Sequence, residues 1–286
     1  MSRIDYSEWI GRTTERLDLI APFPAVALSA LLGRDTAPEQ GDALPPGWQW
    51  LYFLETPGPA ATGPDGHPRR GGFLPPIALE RRMWAAGRFE MLEPLTLGVL
   101  AKKTSRIASI TPKTGASGEM VFVVLEHHLE QEGRLRIREE QTLVYRAMPS
   151  APDAPAPGPS SVAQEADWRA EGAVDPVSLF RFSALTFNGH RIHYDRPYAE
   201  TVEHYPGLVV QGPYSAILLL ELAARRSGRA ISAFEFRATG PAFADEPLGL
   251  CGRDLGEAAD LWSETPRGLG MRAKAALTKE VSHGGA

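Results

Sequence analysis

Four residues able to move protons or hold a water molecule fall within eight positions of one another: Asn188, His190, His193 and Asp195, at the end of the window Phe182–Asp195, FSALTFNGHRIHYD. The chain has 7 histidines and two of them are here. Imidazole changes charge near neutral pH and is the side chain best suited to general acid–base work. The bland alternative is a surface or structural histidine pair. His190 and His193, three apart, can share a helical face, as two metal ligands do. No cysteine and no third ligand at a metal-site spacing joins them, so neither a metal nor a cofactor is expected.

These residues lie just upstream of the most legible element in the chain. Gly212 and Pro213 open PYSAILLLELAARR, where Ile217, Leu218, Leu219 and Leu220 are consecutive, so a helix there is apolar on every face and must be surrounded by protein. Proline suits a first helical turn, Arg225 and Arg226 suit the last, and Gly228 suits the stop. Beyond it, Phe234, Phe236 and Ala238 alternate with Glu235 and Arg237, and Met271, Ala273, Ala275 and Leu277 share one face, the period of half-buried strands. A wholly apolar helix followed by antiparallel strands implies a sheet wrapped around a central helix.

A weaker copy of this order precedes the run PSAPDAPAPGP, Pro149 to Pro159, whose five prolines in eleven residues predict an extended linker. Glu119–Leu129 and Arg134–Arg146 read as a hairpin joined through Glu132 and Gly133. Leu95–Ile110 holds a further strand, and Pro76–Ala86 reads as a short helix stopped by Gly87. The organisation expected is a degenerate N-terminal half, 1–148, a linker, 149–168, and a C-terminal half, 169–286.

Composition narrows the class. Hydrophobic residues make up 43% and charged residues 23% of 286 positions, an ordinary globular balance. A formal net charge of −5 with no long basic run argues against nucleic acid as a partner. The most apolar N-terminal stretch, Leu17 to Leu32, is interrupted by Asp18, Pro22 and Pro24 and is neither a signal peptide nor a membrane span. Cys251, the single cysteine, forms no intramolecular disulfide and is expected as a buried small hydrophobe in a cytoplasmic protein.

The catalytic window, together with LVVQGPYSAILLLELA (Leu208 to Ala223), resembles the MaoC-like hydratases. Within them it is most similar to the double-hotdog branch of type 2 hydroxyacyl-thioester dehydratases and the mesaconyl- and itaconyl-CoA hydratases. RRMWAAGRFEM, Arg81 to Met91, resembles that branch's degenerate N-terminal repeat. The resemblance implies an α+β fold of two tandem hotdog repeats, each an antiparallel sheet wrapped around a helix. It implies reversible hydration of an enoyl-CoA, with a short branched or dicarboxylic acyl chain, and a homodimer. The family motif places Asp, Asn and His where this chain has Asn188, His190 and His193. His193 is thereby the expected acid/base, Asn188 holds water because an amide is not basic, and His190 is the reserve for a second proton-transfer role. Gly212 stands at the family's glycine, where a helix N-terminus presents free N–H groups to an enolate oxygen, and Gln211 replaces the commoner His.

Arg81, Arg82, Arg88, Gln211 and Asp195 are the candidates for substrate or CoA contact, with Arg69, Arg70, Lys102, Lys103 and Arg106 as further basic residues of the same half. Trp48, Trp50 and Tyr52 are expected in the core, with the channel wall as the alternative. Two other classes compete: a hotdog thioesterase, for which Glu221 is the nearest carboxylate but lies late on the helix, and a non-catalytic acyl-thioester binding protein, suggested by Asn188.

Overall fold

Ile217 to Leu220 give their helix no polar face, and the fold surrounds it accordingly. In the computed structural model, which describes residues 5–115, 118–148 and 165–278, that helix buries every residue from Tyr214 to Ala223. It spans Gly212–Ser227, with Arg225 and Arg226 in the last turn and Gly228 closing it at φ 63°. The α-helices among the described residues are, in chain order, α1 (Pro22–Leu31), α2 (Pro176–Leu185), α3 (Arg196–Thr201) and α4 (Gly212–Ser227).

Ten strands form one sheet with wholly antiparallel pairing. They are β1 (Thr13–Leu19), β2 (Arg81–Met91), β3 (Leu100–Gly115), β4 (Gly118–Gln131), β5 (Arg134–Arg146), β6 (Trp168–Glu171), β7 (Ile231–Ala238), β8 (Gly249–Asp254), β9 (Ala258–Thr265) and β10 (Gly268–Leu277). The spatial order is β1-β3-β4-β5-β2-β7-β10-β9-β8-β6. Within each group of five the order is first, third, fourth, fifth, second, and the two groups meet where β2 pairs with β7. This is the double hotdog. Trp50, Trp84 and Phe236 pack edge to face over the seam, Trp50 and Trp84 at 5.1 Å between ring centroids.

The copies differ where the central helix belongs. Each opens with a strand and a short helix, β1–α1 and β6–α2, but where the second copy has α4 the first has only the 3₁₀ turns Trp48–Leu51 and Pro59–Ala61. Trp48 and Leu51 still join α4 in one core, with Tyr52 beside them. These aromatics are therefore core residues and do not line the channel. Cys251 is buried as expected.

The hairpin is present as β4 and β5, and Glu132 and Gly133 both take positive φ, 52° and 73°, as a two-residue turn demands. The helix expected over Pro76–Ala86 is absent, because Arg81–Met91 is a strand. β2 lies at the centre of the sheet, hydrogen-bonded to β5 on one side and β7 on the other, and this pairing overrides the local helical pattern. Gly87 is no helix stop: a Cβ there would lie 2.8 Å from Phe236 Cε1 across the seam. The proline-rich run from Pro149 lies outside the described residues up to position 164.

Candidate active site

The window between α2 and α3 is shaped by its own polar side chains. After α2 ends, Phe187 takes φ 48°, a costly conformation for a bulky residue. Asn188 N–H donates to Ser183 O at 2.8 Å, and Asn188 Oδ1 accepts from His190 N at 3.1 Å. A 3₁₀ turn, Arg191–His193, follows, and Asp195 caps α3 by accepting from Tyr198 N at 3.1 Å.

His193 is buried, and its Nδ1 lies 2.7 Å from Val209 O. A carbonyl can only accept, so Nδ1 carries the hydrogen and Nε2 keeps a free lone pair. Burial, helped by the nearby His190, pushes the His193 pKa down to about 3. His190 is differently committed: its Nε2 lies 3.2 Å from Glu203 Oε1, and Glu203, 3% exposed, pairs with Arg81 Nε at 3.2 Å. The His190 and His193 rings are perpendicular, with centroids 5.4 Å apart.

Two further residues enter from the N-terminal half, Asp65 and His67, neither of them among the candidates the sequence offered. Thr62 and Pro68 form a β-bridge that closes the loop GPDGHP, Gly63 to Pro68. The loop docks onto the window: Arg191 N–H donates to Asp65 O at 2.9 Å and Arg191 Nη1 to Pro64 O at 3.1 Å. At Gly66, φ 88°, a Cβ would fall 1.7 Å from Gly189 O, so only glycine permits this approach. The docking sets the His67 ring 4.0 Å from that of His190. Asp65 grips His67 twice, Oδ1 accepting from His67 N at 3.0 Å and Oδ2 lying 3.2 Å from Nδ1. Burial drives the pKa of His67 to about 3. Burial pushes the Asp65 carboxyl upward, but the hydrogen bonds it accepts from His67 outweigh it and hold the group ionised. Donor atoms of Asp65, His67 and His190 lie within 4.8 Å of one another, the one such grouping with metal-site spacing among the described residues. The signal the sequence carried was the Gly-Pro punctuation around His67, which marks a rigid loop but not its destination.

One cavity of about 1490 Å³ gathers these groups: His67, Asn188, His190, His193, Gln211 and Gly212 all line it. Gly212 is the first residue of α4, so its N–H has no acceptor within the helix. Gln211 is 1% exposed and its Nε2 donates to Leu179 O and Ser183 Oγ, both at 2.9 Å, tying α2 to the start of α4. The lining is cationic: Arg16, Arg82, Lys103, Lys113, Arg146 and Arg237 stand against one carboxylate residue, Glu55. Arg82 has no carboxylate in ion-pair range among the described residues, and its charge is felt by Tyr145 and His67.

Several expected ligand contacts lie elsewhere. Arg81 borders the cavity but is buried, with its guanidinium committed to the Glu203 side chain and main-chain carbonyl. Arg88 points to the opposite face of β2 and pairs with Glu140 at 2.9 Å. Asp195 caps α3 and binds Arg191 at 2.7 Å, outside the cavity lining. Lys102 and Arg106 pair with Glu130 and Glu126. Arg69 and Arg70 donate to main-chain carbonyls. Glu221, the carboxylate considered for a thioesterase, is held by Arg34 and does not reach the cavity. No helix among the described residues is long and apolar enough to cross a membrane.

Fold and cavity together define a hotdog enzyme of the hydratase and dehydratase class. The architecture matches a solved MaoC-like dehydratase at a TM-score of 0.72 and 12% identity, over 95% of this chain and 98% of that one. It also matches a Mycobacterium tuberculosis protein described as a double hotdog at a TM-score of 0.57 and 14% identity, over 94% and 96%. The chain belongs to the hydroxyacyl-thioester dehydratase type 2 family, whose profile matches residues 47–244, and is a hydro-lyase. It is 45% identical to the mesaconyl-C(4)-CoA hydratase of Chloroflexus aurantiacus over 100% of both chains. It is 27% identical to the mitochondrial hydroxyacyl-thioester dehydratase type 2 of Schizosaccharomyces pombe, over 77% of this chain and 80% of that one.

Proposed function

We propose that this chain catalyses reversible hydration of mesaconyl-C4-CoA or a closely similar short, branched dicarboxylic enoyl-CoA. One observation carries the substrate: 45% identity to a hydratase of that name along the whole of both chains. The chemistry of the cavity agrees. An acyl group of this kind carries a free carboxylate close to the reacting double bond. Arg82, in the wall and without a carboxylate partner, is its counterpart, because a guanidinium matches a carboxylate bidentately. Lys113, Arg146 and Arg237 offer the phosphates of CoA a cationic wall.

In the hydration direction, a water hydrogen-bonded to His193 Nε2 attacks the β-carbon as the imidazole takes one of its protons. The C=C pair moves toward the thioester, and the enolate oxygen is received by the Gly212 N–H at the positive end of α4. The imidazolium then returns its proton to the α-carbon. Asn188, with Oδ1 spent on His190 N, orients the water through Nδ2. His190, oriented by Glu203 through Nε2, shapes the site and is, through Nδ1, the reserve for a second proton-transfer role.

Hydration moves protons and no net electrons, so the reading includes no redox cofactor. It includes no metal, since the Asp65 carboxylate is committed to His67. It extends to a cytoplasmic homodimer: the lone Cys251 thiol suits a reducing compartment, and Phe23 and Phe180 on the adjacent helices α1 and α2 expose apolar surface for self-association. A panel of crotonyl-, mesaconyl-, itaconyl- and medium-chain enoyl-CoAs, followed by loss of the enoyl-thioester absorbance, tests the assignment. Mesaconyl-CoA is expected to give the highest kcat/KM.

A further inference from the structure

The attacking water has a second O–H that His193 does not receive. A water poised to attack uses one lone pair on carbon, accepts one hydrogen bond through the other, and has two O–H groups to place. His193 Nε2 receives one O–H and Asn188 Nδ2 donates to the second lone pair. Asn188 Oδ1 already accepts from His190 N and His190 Nε2 lies 3.2 Å from Glu203 Oε1, which leaves the window only the second lone pair of Oδ1 and His190 Nδ1 for the second O–H.

We propose that His67 Nε2, from the N-terminal half, accepts this second O–H and that Asp65 is the positioning residue that keeps His67 in the accepting tautomer. The proposal rests on the hydratase reading above. Three observations carry it. The loop bearing both residues is built into the site, because Gly66 backs onto Gly189 and Arg191 N–H donates to Asp65 O at 2.9 Å. The His67 ring lies 4.0 Å from His190 and lines the same cavity as Asn188, His193 and Gly212. An ionised carboxylate 3.2 Å from Nδ1 requires the ring hydrogen there, which leaves the lone pair on Nε2. The placement of His67 near neutral and uncharged His193, under strong burial, keeps both rings as acceptors.

The proton count closes without His67 changing charge. One water proton goes to His193 as the bond from oxygen to the β-carbon forms. The other stays on oxygen, hydrogen-bonded to His67, and becomes the product's hydroxyl hydrogen. His193 then gives its proton to the α-carbon.

Steady-state hydration by the full chain and its His67→Ala, His67→Gln and Asp65→Asn variants tests this, with circular dichroism as a check on folding. His67→Ala is expected to lower kcat about 100-fold with KM close to wild type. His67→Gln, which restores an acceptor oxygen but no basicity, is expected to stay within about tenfold of wild type. Asp65→Asn, whose amide donates toward Nδ1 and moves the ring hydrogen to Nε2, is expected to be as slow as His67→Ala. A His67→Gln enzyme as slow as His67→Ala would overturn the proposal in favour of proton transfer by His67. Unchanged His67→Ala kinetics beside an active wild type would overturn it alone, whereas a wild type that hydrates no enoyl-CoA would remove the hydratase reading and this proposal with it. Long-range ¹H–¹⁵N spectra supply a readout without turnover: Nε2 of His67 is expected unprotonated in the wild type, and a protonated Nε2 contradicts the assignment.

Discussion

The imidazole rings of His67 and His190 lie 4.0 Å apart, although one belongs to the first repeat and the other to the second. That contact fastens the N-terminal half to the window Phe182–Asp195. It also explains how a repeat without a long central helix still shapes the cavity: its loop, and not its helix, reaches the wall.

The pH dependence follows from the buried rings. His193 and His67 are each held at about 3, against an ordinary 6.5, chiefly by burial. Both therefore stay neutral at any pH where the protein is folded and working, and kcat/KM is expected to show no inflection near 6.5. Stability behaves differently. Below pH 6.5 the unfolded chain takes up protons that the buried rings refuse, so stability falls as pH drops from 6.5 toward 3. The slope is about 1.4 kcal/mol per pH unit for each histidine. Urea titrations at pH 7.5 and 5.5 check the second expectation, and a pH–rate profile with an acidic limb near 6.5 would contradict the first.

Arg82 separates carboxylated from plain acyl chains. Replacing it with Gln is expected to lower kcat/KM for mesaconyl-CoA by roughly 10- to 100-fold, the worth of about 1.5–3 kcal/mol for a hydrogen bond to a charged group. Crotonyl-CoA, with no second carboxylate, should be hydrated by Arg82→Gln as well as by wild type. An equal loss for both substrates would assign Arg82 to the CoA portion instead.

Much of the fold was legible because it is written in local pattern. Four consecutive apolar residues at Ile217–Leu220 announce a surrounded helix, Glu132–Gly133 announces a tight hairpin, and the alternation at Phe234–Ala238 announces a half-buried strand. β2 was not legible: Arg81–Met91 carries a helical spacing and a glycine, and only its two strand neighbours make it a strand. The site divides in the same way. Asn188, His190 and His193 stand close in sequence and next to the helix that supplies Gly212, and the structure brings all four to one cavity. Asp65 and His67 lie far away in a loop of ordinary composition, and their arrival depends on the Gly66–Gly189 contact, which leaves no mark in periodicity or propensity. The arginines misled for a related reason: pattern shows where a cation stands but not that Glu203 or Glu140 already holds it.

Gly66 is accordingly the position where a single methyl group should matter most. A Gly66→Ala change puts a Cβ 1.7 Å from Gly189 O and forces alanine to φ 88°. The loop is expected to lift from the window, lowering stability by on the order of 2 kcal/mol and reducing kcat along with it. Thermal unfolding and kinetics of this variant, beside a control Gly256→Ala at an open turn with nothing within 4 Å, check it. Equal behaviour of the two variants would mean that the docking is not needed.

His193, with Nδ1 fixed on Val209 O, is the group proposed to move the proton between water and an enoyl thioester. The most direct test follows the enoyl-thioester absorbance of mesaconyl-CoA with wild type and with His193→Ala. Loss of the band is expected with wild type and a fall in kcat of about 10²- to 10⁴-fold in the variant, with affinity for the substrate kept. Turnover by His193→Ala at the wild-type rate, or a band left unchanged by wild type while the thioester binds, would contradict it.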